Sequence, residues 1–305
     1  MIARLQQRIT LGLVLLAAAW AAGWWHQSAA VAVGGALALL FGHAFFLALE
    51  CVAMVRVNRG DPAPRATTWQ VLRAWLHESV TAPRVFCWRQ PFRAQAVPDH
   101  LPADGSATGR RGVVLVHGLV CNRGFWTPWL RQLRQQGRPF VALSLEPVSA
   151  PIDSYVPALD AAVVRVTAAT GQPPVLLCHS MGGLVARAWL RAAGDDSRVH
   201  CVVTVATPHD GTWLGRFGRD GSSAQMRLSS DWLAALAAAE PASRRARFVC
   251  WYSNCDNVVF PASTATLPGA DNRLVPGLPH IALAFDPDVV RATLTLIEGG
   301  PASRR

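Results

Sequence analysis

VLLCHSMGGLVARAWL, residues 175–190, is the stretch on which the reading of the whole chain turns. Val175–Cys178 is a short apolar run with the character of a buried strand, and Met181–Ala193 has the pattern of a helix. Ser180 therefore stands at a strand-to-helix junction. A serine there is forced onto a strained turn that exposes its hydroxyl at the carboxyl end of a sheet, beside the free N–H groups of a helix start. Gly182 leaves room for the close approach of helix and strand that the turn demands. On its own, the same serine would be read as a helix N-cap, so its partners decide the matter.

Outward from this stretch, apolar runs alternate with helical ones. Val113–Val116, Pro139–Leu145, Val175–Cys178, Val199–Ala206 and Phe248–Tyr252 read as strands, and Phe125–Gln136, Tyr155–Ala169, Met181–Ala193 and Asp231–Ala239 as helices. Apolar strands separated by helices predict an α/β fold, with a mostly parallel sheet covered on both faces.

An activated serine needs a base within hydrogen-bond reach and an acid to orient that base, and in sheets of this kind they follow in the order serine, acid, histidine. His280, in GLPHIALAFDPDVV, sits in a loop before a terminal helix, the expected place for the base. His209, in ATPHDGT, lies before any acid loop, and His200 heads a strand. Asp256, in WYSNCDNVVFP, follows the strand 248–252 and would emerge at the same sheet edge as Ser180; Asp271 and Asp210 remain as alternative acids. At the end of the first strand, HGL places the Leu119 N–H to meet an oxyanion together with the Met181 N–H. His117, His179, His209 and Trp213 are expected to line the substrate pocket.

LVHGL, CHSMGG, VATPHDGT, SNCDNVV and PHIAL, in that order over about residues 112–296, resemble the α/β-hydrolase superfamily, and within it bacterial lipases and esterases and the GPI-inositol-deacylase-like hydrolases. The resemblance implies Ser180 as nucleophile, Asp256 as orienting acid, His280 as base, and the N–H groups of Leu119 and Met181 as oxyanion hole. It implies no metal and no cofactor. Cys178 departs from the usual glycine two before the serine, a modest intrusion in a position governed by backbone contact distance. As a nucleophile it is disfavoured, since a buried thiol stays protonated. The implied reaction is acyl transfer from an ester to water. Transfer to an alcohol, a thioester substrate, a catalytically silent fold serving as a membrane-bound module, and a transport component stay open.

Residues 1–60 lie outside the resemblance and predict a membrane hairpin with helices at about 9–25 and 29–55, joined by Trp24-Trp25-His26-Gln27-Ser28. A cleavable signal peptide is the rival for the first apolar stretch, and the second counts against it. His43 and Glu50 read as packed or snorkelling groups. Residues 61–111 predict a linker with an amphipathic helix bearing Trp69, Leu72, Leu76 and Val80, with Trp75 beside them. The hydrolase domain is expected over 112–298, with a small cap at 207–245 whose Trp213, Leu214, Phe217, Met226, Leu228, Trp232 and Leu233 suggest an acyl-binding wall. A disordered tail is expected at 299–305.

The chain of 305 residues is 51% hydrophobic, which fits a membrane-embedded portion, and its net charge of +10 comes from arginine alone, with no lysine. The arginines are dispersed and accompany no nucleic-acid-binding motif, so anionic membrane surface is the expected partner besides a lipid or other acyl ester, and nucleic acid is not. Arg4 and Arg8 before the hairpin, and Arg56, Arg59, Arg65 and Arg73 after it, predict the inner membrane with the hydrolase domain in the cytoplasm; a periplasmic placement is the alternative. Of the seven cysteines, Cys250 and Cys255 are the one candidate disulfide. Oligomeric state is left open.

Overall fold

The structure, a computed structural model, describes residues 1–219 and 221–299. Asp220 of the expected cap and residues 300–305 of the expected tail lie outside the described residues. Six parallel strands form one sheet in the order β2-β1-β3-β4-β5-β6: β1 Val113–Val116, β2 Phe140–Ala142, β3 Val175–His179, β4 Cys201–Val205, β5 Phe248–Tyr252 and β6 Asp271–Leu274.

The strands are apolar throughout because both faces are covered. Val113, Leu115, Leu177, Val203 and Trp251 face one buried cluster, which holds Trp129 and Leu133 of helix α6 (Thr127–Gln135) and Val289 and Ile297 of α13 (Pro287–Ile297). Their neighbours Val114, Val116, Leu176, Cys178 and Val202 face a second, with Val163 of α7 (Val156–Thr170) and Leu184 and Trp189 of α8 (Met181–Ala193). The alternation is the two-residue period of a strand. β6 is not among the strands expected from the sequence, because its Asp-Asn-Arg-Leu sequence is largely polar. It is an edge strand, held by pairing to β5 and by Arg273 lying over Trp251 at 5.1 Å.

The N-terminal third differs from expectation in two respects. Helix α1 (Ile2–Trp24) is continuous and folds back on α2 (Ala29–Phe41), the Trp20 indole donating to the Val31 carbonyl at 3.1 Å. The second apolar stretch is not one helix: at Gly42 it bends by 51° into α3 (His43–Val57). Residues 61–111 are not a loose linker either. Helix α4 (Thr68–Pro83), a π-helical segment (Arg84–Arg89) and α5 (Gln90–Arg93) run on continuously, and Val85 and Val97 are buried in the core, so the compact domain begins well before Gly112. The apolar stripe of α4, Trp69, Leu72, Leu76 and Val80, is exposed.

Between β4 and β5 the cap consists of short helices, α9 (Gly221–Gln225), α10 (Asp231–Ala238) and α11 (Ala242–Arg245). Met226 and Leu233 bury into the core, so these side chains pack the cap down. Arg187 of α8 meets Glu240 in a fully buried two-pronged ion pair and also donates to the His209 carbonyl. The seven cysteines are all free thiols, Cys250 and Cys255 included.

The junction of β3 and α8 is closely packed. A methyl group on Gly182 would lie 2.3 Å from the Val116 carbonyl oxygen. Gly182→Ala is therefore expected to destabilise the protein by about 1–3 kcal/mol through overpacking. A thermal midpoint equal to wild type would contradict this account of the junction.

Candidate active site

Ser180 sits between β3 and α8 with φ 54° and ψ −128°, a conformation sparsely populated by residues other than glycine. Its N–H donates to the Val205 carbonyl at 2.9 Å, which pins the turn to the neighbouring strand end. The serine lines a cavity of about 420 Å³, together with Leu119, His179 and His280.

His280 opens α12 (His280–Leu283), and its Nδ1 lies 3.0 Å from each carboxylate oxygen of Asp256. Asp256 is 1% exposed and also accepts from the Val258 and Val259 amides at 2.9 and 2.8 Å. Burial alone would depress the imidazole, but the Asp256 carboxylate, with Glu78 and Glu50 behind it, outweighs this and holds His280 above the ordinary histidine value. The other candidate acids lie elsewhere: Asp271 pairs with Arg273, and the Asp210 backbone meets Thr264 and Ser229. No hydrogen bond joins Ser180 Oγ to His280 among the described residues. Such contacts are often long before substrate binds.

Facing Ser180 is the loop after β1. A Cβ on Gly118 would fall 2.8 Å from that of Ser180, so only glycine lets this backbone reach the serine. Leu119 follows it in the cavity wall, and Met181 is the first residue of α8, where helix N–H groups have no partner within the helix. Val120, with φ 58°, continues the loop in a strained conformation. Two side chains that sequence reasoning missed hold it there. Gln6 of α1 donates to the Val120 carbonyl at 3.2 Å, and buried Gln90 of α5 receives from the Asn122 amide at 3.1 Å.

Only one of the four residues expected to line the pocket does so. His179 is in the wall, stacked on Phe125 at 4.4 Å, with Nε2 donating to the His280 carbonyl at 3.2 Å; burial, then the charge of His280, keeps it neutral. His117 is a backbone staple: Nε2 receives from the Leu145 amide at 3.0 Å and Nδ1 donates to the Gly118 carbonyl at 2.8 Å. Burial lowers its pKa to about 4, so it stays neutral. His209 lies behind the sheet edge, beside Thr204 Oγ1 at 3.1 Å and Cys250 Sγ at 3.5 Å. Trp213 is stacked on Phe260, whose cluster also contains Cys51 and Met54 of α3. Among the described residues the cap thus supplies no wall to this cavity. The wall comes from α3 and the segment that follows it, through Phe46, Leu47, Ala82 and Phe86, and includes the carboxyl groups of Glu50 and Glu78. Glu50, for which packing and snorkelling were the two readings, turns inward and accepts from Asn257 Nδ2 at 2.7 Å. Glu50 is the one acid in its apolar run, whereas Glu78 lies in a helix that also carries Arg73 and His77 and gives no such signal. Among the described residues no group of three or more histidine, cysteine, aspartate or glutamate side chains is arranged to hold a metal ion. Cys178 is fully buried and burial pushes its thiol well up, which leaves it a packing residue.

The model of the alpha/beta hydrolase family matches residues 113–300. Among solved structures, the mature form of the Bacillus licheniformis lipase BlEst2 superposes with a TM-score of 0.56 at 16% identity, over 64% of this chain and 95% of that one. Aspergillus fumigatus lipase B does so with a TM-score of 0.57 at 17% identity, over 69% of this chain and 58% of that one. At these identities the likeness is one of fold. No curated protein matches the chain.

The contact between His280 and Asp256 has a measurable consequence. Asp256→Asn removes the main charge that raises the imidazole, so the His280 pKa is expected to fall below that of the wild type in an NMR titration of the labelled histidines. An unchanged His280 titration would contradict the assignment of Asp256 as its partner.

Proposed function

The chain belongs to the alpha/beta hydrolase family, and from that premise we propose that it is a membrane-anchored serine hydrolase of lipid-like carboxylic esters. The observation that carries the reading is the arrangement of Ser180, on its strained turn, in one cavity with a His280 imidazole held by Asp256. His280 Nε2 takes the hydroxyl proton as Ser180 Oγ attacks the ester carbonyl. The tetrahedral oxyanion is received by the N–H groups of Leu119 and Met181, each worth about 3 kcal/mol of barrier in such sites. Collapse breaks the bond to the alcohol, which leaves with the proton from His280, and an acyl group remains on Ser180. Water, activated by the same imidazole, then releases the acid. Because the base acts in its neutral form, the rate rises with pH as His280 loses its proton, at a pH above the ordinary histidine range.

Lipid-like esters are favoured by the walls. Phe46, Leu47, Ala82 and Phe86 give the cavity an apolar lining with few polar groups, and two of these four come from α3. Helix α1 is long and apolar enough to cross a membrane, and α2 with α3 would make a bent second span. Large apolar side chains lie exposed on these helices, among them Leu15, Phe41, Phe45 and Phe46, and on α4. Arginines flank both ends of the hairpin, which favours a cytoplasmic hydrolase domain at the inner membrane. In this reading 1–60 is the anchor, and the hydrolase unit takes in 61–111 as well as 112–298.

The test is a panel of esters of graded chain length, including phospholipid and triglyceride, assayed in detergent and in vesicles with and without an added alcohol. Rates are expected to favour longer acyl chains, with free acid as the main product, and Ser180→Ala is expected to lose at least about 10³-fold in kcat. Undiminished turnover by Ser180→Ala would sink the mechanism, and acyl transfer to the alcohol in preference to water would replace hydrolysis with transferase activity.

A further inference from the structure

We propose that Glu78 and Glu50, carried by helices that precede the family-matched residues, are positioning residues that hold the His280 turn for catalysis. The proposal rests on Ser180, His280 and Asp256 being the catalytic groups.

The amides of three consecutive residues are fixed by side chains from far away in sequence. Glu78 of α4 accepts from the Ile281 amide through Oε1 at 2.8 Å and from the Ala282 amide through Oε2 at 3.4 Å. The His280 amide donates to Asn257 Oδ1 at 3.2 Å, and Asn257 in turn donates to Glu50 of α3 at 2.7 Å. Asn257 is also the neighbour of Asp256, so Glu50 braces the acid loop and the base turn through one side chain. His179 completes the enclosure by donating to the His280 carbonyl.

Neither carboxyl group is placed where stability alone would put it. Glu78 is 2% exposed, and among the described residues neither Glu78 nor Glu50 forms an ion pair with an arginine. Burial of an unpaired carboxylate costs free energy, and it raises the Glu78 pKa to about 7. The one cationic group in reach is the His280 imidazole once it has taken the proton of Ser180. The charged and titratable groups that face that ring are Asp256, Glu78, Glu50 and neutral His179. A negative charge there stabilises the imidazolium as it forms.

The full-length protein carries the test. Glu78→Ala, Glu78→Gln and Glu50→Gln are compared with wild type for kcat per active site titrated with a fluorophosphonate, for KM, for the acidic limb of the pH–rate profile and for thermal midpoint. Glu78→Ala is expected to lose at least about tenfold in kcat with KM within about threefold. Glu78→Gln keeps an oxygen for the Ile281 amide and is expected to recover part of kcat, yet its acidic limb moves to lower pH because a charge favouring the imidazolium is gone. Glu50→Gln moves both in the same direction by less. If Glu78→Ala does not fold, the two glutamine variants decide. A lower thermal midpoint with kcat per titrated site and acidic limb unchanged overturns the proposal and leaves the two residues structural. Activity surviving in Ser180→Ala or His280→Ala would instead show that the underlying triad is wrong.

Discussion

The backbone of Ser180 is held in a left-handed conformation, and the surrounding fold is arranged so that it cannot relax. A non-glycine residue in such a region costs about 1–3 kcal/mol and persists only where its neighbours over-determine it. Here they are the sheet, through the Ser180 amide on Val205, the strand β1 pressed against Gly182, and Gly118 against the serine itself. Release of the turn would withdraw the hydroxyl from the cavity. The parallel sheet, buried on both faces, is the rigid body that makes the strain sustainable.

A second constraint follows from where the cavity is closed. In this chain the cap between β4 and β5 packs down on the core, with the Arg187–Glu240 pair buried beneath it, and none of its described residues lines the cavity. Cover comes from the N-terminal helices. Gln6 and Gln90 fix the loop after β1, Glu78 meets the Ile281 amide, Glu50 meets Asn257, and Phe46, Leu47 and Phe86 form the apolar wall. The part of the chain outside the family match is thereby joined to the chemistry through backbone hydrogen bonds as well as apolar contact. A change in the seating of α3 and α4 would be felt at His280 directly.

The pattern of what was legible in the sequence follows from range. β1, β3, β4 and β5 were readable because strands buried on both faces are continuously apolar, and the contact of Asp256 with His280 could be anticipated because Asp256 follows such a strand and His280 precedes a terminal helix. β6 was not, since its four residues are largely polar and its existence depends on pairing with β5. His117 and His209 were assigned to the pocket because a buried histidine stapling backbone groups has the same local sequence as one lining a site. Glu50 and Glu78 could not be linked to the site at all. Their partners lie more than 200 positions away, and only the folded chain brings them together. The bend at Gly42, which splits the second apolar stretch, likewise turns what reads as a plain span into a wall of the cavity.

The central claim is that Ser180 is a nucleophile activated in this cavity. Intact-protein mass spectrometry after treatment with a fluorophosphonate, followed by peptide mapping, addresses it most directly. The account predicts one covalent adduct per chain, located on Ser180 and lost when His280 is replaced by alanine. An adduct on any other residue, or none on folded protein, would contradict it.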